Sequence, residues 1–161
     1  MAIIRPLATK SDDPAFRNLH RLGFGSYVAS VRDALVNAQD EAVVITPYID
    51  SAGIQLLKEA WDVRINRSAV WEIYVKSPLI GLKSLSQRPW KIFEYPASQS
   101  FGMHAKVILV DEKTVILGSM NLLKRSMYSN LEIGAEISDD PIVRQISRLH
   151  YWLRRSSRLA G

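Results

Sequence analysis

From Tyr27 to Ala38 the apolar residues Val28, Val31 and Leu35 recur at three- and four-residue spacing, which predicts a helix with one buried face. Ala42 to Pro47 reads as a strand. Ser51 is expected to cap a helix that runs to about Trp61 and turns Ile54, Leu57 and Trp61 inward, and Ala69 to Lys76 as a further strand completes a βαβ unit. Its crossover should be right-handed and its strands parallel. Trp90 to Tyr95, Ala105 to Val110 and Thr114 to Gly118 are expected to join the same sheet. Residues 107 to 110 are apolar on both faces, so helices should cover both sides. Asn130 to Ile137 alternates, with Leu131, Ile133, Ala135 and Ile137 on one face and Glu132 on the polar one. Ser138-Asp139-Asp140-Pro141 is a capped helix start. Beyond it Ile142, Ile146, Leu149 and Leu153 share one narrow sector, with Arg144, Arg148 and Arg155 opposite and Tyr151 beside them. The pattern is α/β: a mixed β-sheet sandwiched between helices, in one domain over residues 1–161. Residues 1 to 25 read as an irregular segment. Gly23-Phe24-Gly25 follows no strand and is expected to serve helix entry rather than a dinucleotide.

The strand at 105–110 carries the chemistry. It opens as His104-Ala-Lys106 and is followed, after four residues, by Asp111 and, after six more, by Gly118-Ser119-Met-Asn121. Period two puts His104 and Lys106 on one face. A tight hairpin pairing Asp111 with Thr114 would set His104 opposite Asn121 and Lys106 opposite Ser119. Glu112-Lys113 is not a favoured two-residue loop, so a longer turn and a shifted pairing stay open. The residue types suit attack on phosphorus. A neutral imidazole is a competent nucleophile and, protonated, a general acid. Lys106 supplies positive charge to non-bridging oxygens, and Asn121 and Ser119 supply directed donors. Glu132 can orient a histidine. Asp111, roughly 16 Å along the strand from Lys106, is read as structural, bonding turn backbone.

This pattern, H-x-K, four residues, D, six residues, G-S-x-N, resembles the HKD signature of the phospholipase D superfamily, with His104, Lys106, Asp111, Gly118, Ser119 and Asn121 at the signature's spacing. The likeness is specific from about His104 to Ile137 and is nearest to small single-motif members such as bacterial endonucleases. It implies a phospholipase D-like fold and an active site built from two motifs, one histidine forming a phosphohistidine and the other protonating the leaving oxygen. With one motif per chain, it implies a homodimer. It also implies that Glu132 bonds a ring nitrogen of a catalytic histidine, in which chain being open. By family analogy the chain would be a metal-independent nuclease, without sequence specificity of its own, in a larger defence, repair or helicase assembly. Three other readings stay open: a cardiolipin-directed phospholipid hydrolase of the same fold, a non-catalytic nucleic-acid-binding module, and a piece of a helicase or restriction protein.

Charge adds a partner. Lysine and arginine exceed acidic residues by 21 to 16, and Arg64, Arg67, Lys76, Lys83, Arg88 and Lys91 are offset between 64 and 91 only by Glu72. Such a surface attracts nucleic acid through phosphate contacts. Lys83, Arg88, Lys91, Arg144, Arg148 and Arg155 are the candidate contacts, with DNA favoured over RNA. The tryptophans Trp61, Trp71 and Trp90 are assigned to the core, and His20 and His150 to surface or satisfied positions. No metal site or cofactor is expected. Asp139 and Asp140 sit where carboxylates favour a helix start. With 0 cysteines and no long apolar run near Met1, the expected setting is the cytoplasm, without a membrane anchor.

Overall fold

A computed structural model describes residues 2–9, 18–76, 82–95 and 103–159. Nine strands form one mixed sheet: β1 (Ile3–Ala8), β2 (Gly25–Ser26), β3 (Glu41–Ile45), β4 (Val70–Lys76), β5 (Lys91–Tyr95), β6 (Val107–Val110), β7 (Thr114–Gly118), β8 (Ile133–Ser138) and β9 (Arg158–Leu159). Their order is β2-β1-β8-β7-β6-β3-β4-β5-β9. Strands β3, β4 and β5 run parallel, and β6, β7 and β8 pair antiparallel in succession. Helices α1 (Tyr27–Val36) and α2 (Ser51–Val63) pack on one face, where Val31, Leu35, Leu57 and the three tryptophans Trp61, Trp71 and Trp90 form the larger core. Helix α5 (Pro141–Ser156) packs on the other through Val143 and Leu153 against Val43, Tyr74 and Leu109. Two short helices, α3 (Leu82–Leu85) and α4 (Lys124–Tyr128), also lie among the described residues. The mixed sheet between helices is the architecture that the hydrophobic pattern predicts.

Four local expectations are corrected. The segment before residue 25 is not irregular throughout, because β1 pairs with β8 over six residue pairs, from Ile3↔Ser138 to Ala8↔Ile133. Four of its six residues are exposed and one is Pro6, so it has no alternation to read. The cap of α2 is Asp50, not Ser51: its carboxylate accepts from the Ala52 and Gly53 amides at 2.9 and 3.1 Å. The buried face of α5 is rotated to Val143, Ser147, His150 and Leu153, leaving Ile142 exposed. A polar partner on the sheet goes with the rotation: His150 bonds Glu72 of β4 on the face that α5 covers, while the Ser147 hydroxyl donates to the Val143 carbonyl within the helix itself. On β8 and just before it, Glu132 is buried and Ile133 exposed, because α1 covers the face that carries the glutamate.

Ser26 caps α1, so Gly23-Phe24-Gly25 serves helix entry as expected, with Gly23 at φ +87°. Asp140 caps α5 through the Ile142 amide at 2.8 Å, with Pro141 opening the helix. Among the described residues no helix is long and apolar enough to cross a membrane.

Candidate active site

Strand β6 lies inside the sheet between β3 and β7, and residues 103–106 lead into it. Val107 pairs with Ile45 at the carboxyl end of β3, so the histidine and lysine of the motif emerge at the end of the sheet where β3 and β4 finish. The β6–β7 connection is one residue longer than the tight turn. Val110 pairs with Thr114, Lys113 N–H donates to the Val110 carbonyl, and Asp111 and Glu112 occupy left-handed conformations at φ 53° and 51°. The pairing therefore shifts by one. Gly118, not Ser119, faces Lys106, and its N–H donates to the Lys106 carbonyl at 3.4 Å. A one-residue shift would turn every side chain over within a strand, but β7 stops at Gly118. Ser119 to Asn121 leave the ladder and take their direction from other partners.

For Ser119 those partners are Glu132, just before β8, and Ile133, its first residue. The Ser119 hydroxyl donates to Glu132 Oε2 at 2.5 Å, and Ile133 N–H donates back to Ser119 Oγ at 3.2 Å. Asn130 donates to Glu132 Oε1 at 3.4 Å, and Glu132 N–H donates to Thr9 Oγ1 at 2.9 Å. Both carboxylate oxygens of this buried glutamate thus have donors, as a buried charge requires. Tyr27, the first residue of α1, lies beside it. Burial, with the Glu132 charge added, pushes the Tyr27 phenol well above its ordinary value and keeps it protonated. A Cβ on Gly118 would sit 2.6 Å from Gly134 Cα and 2.7 Å from Tyr27 Oη. The motif glycine is a steric requirement: Tyr27 rests where two facing glycines leave room.

The structure joins Ser119 to Glu132, and Lys106 to the His104 backbone, whose carbonyl accepts from Lys106 Nζ at 2.7 Å. His104 is exposed, its ring edge-on to Tyr48 with centroids 6.3 Å apart. Asn121 Oδ1 is buried without a hydrogen-bond partner. Within one chain, Glu132 bonds Ser119 and Asn130 rather than a histidine ring. Asp111 is structural in a different way from that expected. Instead of bonding its own turn, its carboxylate accepts from the backbone N–H groups of Gln39, Asp40 and Glu41 at 2.9, 2.8 and 2.9 Å, tying the hairpin to the start of β3.

Of the basic candidates, Arg144, Arg148 and Arg155 are exposed on α5, and an open surface hollow beside the last two is lined by Tyr151, Trp152 and Arg154 as well. Lys83 is exposed. Arg88 and Lys91 are already engaged, Arg88 with Asp62 at 2.9 Å and Lys91 with Glu72 at 3.7 Å. His150 is buried and only half satisfied, with Nε2 at 2.8 Å from Glu72 Oε2 and Nδ1 without a hydrogen-bond partner, while the side chain of His20 lies outside the described residues. The pattern did not reveal Glu72, which is 1% exposed at its side chain and also takes the Tyr74 hydroxyl at 2.8 Å. Burial would raise its pKa, but the hydrogen bonds from His150 and Tyr74, with Arg154 nearby, hold it below the usual carboxylate range. Glu41, 3.9 Å from His150 Nδ1, is raised by burial and by the charges of Glu72 and Glu112. Nor does the pattern single out Tyr48 or Tyr27 for the site; neither stands in any motif.

Residues 31–152 match the family model described as cardiolipin synthase, PLD-like domain. The chain is 26% identical over 126 residues to DISARM protein DrmC of Bacillus paralicheniformis, covering 72% of this chain and 51% of that protein. It is 32% identical over 125 residues to cardiolipin synthase A of Pseudomonas aeruginosa, covering 71% of this chain and 25% of that protein. The chain thus spans about half the length of the first relative and a quarter of the second. In fold it is similar to Nuc of Salmonella typhimurium, a phospholipase D family member, with TM-score 0.72, 18% identity and 99% of each chain covered. NucT of Helicobacter pylori is similar too, with TM-score 0.73, 15% identity, and 99% of this chain and 100% of that one covered. The extent of the model match and the motif's place at the mouth of this sheet settle the family: the chain belongs to the phospholipase D-like family, whose members act on phosphodiesters.

Proposed function

We propose that the protein is a metal-independent nuclease that works as a homodimer through a phosphohistidine intermediate. The observation that carries this reading is the complete set of His104, Lys106, Ser119, Asn121 and Glu132 at one end of the sheet, present once in the chain. Attack by a ring nitrogen of His104 forms a P–N bond as the bond from phosphorus to the leaving oxygen breaks. His104 of a second copy gives that oxygen its proton. Water then attacks phosphorus, gives a proton to the second histidine, and the P–N bond breaks. Lys106 stabilises the charge on the non-bridging oxygens, with the Asn121 amide as a further donor, and the Ser119 hydroxyl joins them only by giving up its bond to Glu132. Glu132 holds Ser119 in place, and to orient a histidine in the dimer it exchanges one of its present donors, Ser119 or Asn130.

Nucleic acid is the favoured substrate because exposed Arg148, Arg155 and Lys83 offer phosphate contacts, whereas Arg144, beside the β6–β7 turn, and Lys91, at the start of β5, lie at the end of the sheet away from His104, and Arg88 and Lys91 are engaged by Asp62 and Glu72. DNA is favoured over RNA, and the cytoplasm is the proposed setting. The likeness to DISARM protein DrmC supports work within a larger assembly. A second reading, hydrolysis of a cardiolipin-type phospholipid, is favoured by the relatives named cardiolipin synthase and would use the same residues. Purified protein offered DNA, RNA and cardiolipin vesicles with excess chelator decides between them. Cleavage of nucleic acid alone is expected, and hydrolysis of cardiolipin alone would reject the nuclease.

A further inference from the structure

Tyr48 stands at the mouth of the motif with 42% of its surface exposed, a large aromatic residue that the packing of the core does not explain. Its loop is held on three sides. Thr46 N–H donates to the Tyr74 carbonyl, Lys76 N–H to the Pro47 carbonyl, and Asp50 N–H to the Leu122 carbonyl, while Thr46 Oγ1 donates to the carbonyl of Tyr48 itself. Ile49 pairs with Leu122 in a parallel bridge, next to Asn121 of the motif. The ring is therefore positioned by backbone bonds to β4 on one side and to the motif segment on the other. The ring stands nearly perpendicular to that of His104, with centroids 6.3 Å apart and planes at 79°, and Lys76 Nζ lies over it, 5.7 Å from the ring centroid. An aromatic ring thus adjoins the histidine and carries a cation beside it.

We propose that Tyr48 and Lys76 form the subsite for the nucleotide next to the scissile phosphate, its base stacking on Tyr48 and its phosphate meeting Lys76. The inference rests on the nuclease reading and narrows it: a base free to stack on a protein ring belongs to an unpaired strand, so the substrate is single-stranded or locally opened nucleic acid. Stacking is tolerant of sequence, since every base has a flat face, which suits an enzyme without sequence preference. A diacylglycerol phosphodiester has nothing flat to place there.

The test removes the ring from the protein and the base from the substrate in turn. Tyr48→Ala and Tyr48→Phe are compared on a short oligothymidylate and on the same strand with an abasic residue beside the cleaved bond. Tyr48→Ala should lower kcat/KM on the intact strand by on the order of ten-fold, mostly through KM, with Tyr48→Phe near the parent. On the abasic strand the parent should fall to the level of Tyr48→Ala, which should lose nothing more. Lys76→Ala should reduce the slope of log affinity against log salt by about one. Equal losses on intact and abasic strands would show that Tyr48 only positions His104, and would overturn the subsite. Binding of the same strands to the inactive His104→Ala protein, read by fluorescence anisotropy, separates the two failures. No cleavage by the parent with a Tyr48-dependent preference for the intact strand rejects the nuclease and keeps the subsite, and no preference rejects both.

Discussion

Gly118→Ala tests the account of the motif glycine most directly. The added methyl would lie 2.6 Å from Gly134 Cα and 2.7 Å from Tyr27 Oη, and it would also press on the Ile133 carbonyl. Two of those three neighbours are backbone of the paired strand, which cannot swing aside as a side chain would. Overpacking of this kind costs about 1–3 kcal/mol, and rigid neighbours place it near the upper end. For a chain of this size about 3 kcal/mol corresponds to a fall in Tm of roughly 6–12 °C. Relief would come from parting β7 and β8, which moves Ser119 off Glu132, so turnover should fall as well. Melting followed by circular dichroism, with exposed Ser129→Ala as the control, measures the first effect, and a cleavage assay below the new Tm the second. Adding Tyr27→Phe removes only the phenol oxygen and should restore less than half of the lost stability. A Tm within about 2 °C of the parent, with turnover unchanged, would refute the steric argument.

His104→Ala should abolish turnover while leaving the fold intact, because the side chain is exposed, and mixed dimers with one such chain should lose far more than half their activity; half activity would mean independent sites. Light scattering should report a mass near twice 18.2 kDa, and a fully active monomer at high dilution would reject the shared site. Chelators should leave cleavage intact, and a requirement for added magnesium would contradict the roles given to Lys106 and Asn121. Glu72 has a lowered pKa in the folded state, so its contribution to stability is full above the unfolded carboxylate pKa of about 4.3 and is lost as pH falls through the folded value. Glu72→Gln should therefore flatten the acid side of the Tm profile, although Glu41, shifted upward, acts in the opposite sense; an unchanged acid limb would remove Glu72 from the account.

The parts of the fold written in local pattern were legible: the β3–α2–β4 unit, the apolar motif strand and the proline-led start of α5. What stayed hidden depended on partners distant along the chain. Strand β1 is defined by pairing with β8, more than a hundred residues on, and four of its six side chains face solvent. The rotation of α5 goes with the bond between His150 and Glu72, which no periodicity encodes. The pairing of β6 with β7 turned on a three-residue connection in which Asp111 and Glu112 adopt a conformation that favours glycine, a choice their side chains do not announce. In the site, the motif named His104, Lys106, Ser119 and Asn121 by spacing, and alternation named Glu132. Tyr27 and Tyr48 are brought in by the fold alone.

The interior place of β6 has a consequence for how the protein ages and fails. A site on an outer strand or loop can fray while the remainder stays folded, and activity then decays before structure does. Here the strand that His104 leads into is laced to β3 on one flank and β7 on the other, and Asp111 fastens its far end to the chain before β3. Opening that strand means dismantling the middle of the sheet. Inactivation by heat should thus coincide with the collapse of the whole fold, the amides of β6 should be among the last to exchange with deuterium, and damage confined to either rim should leave a working histidine behind.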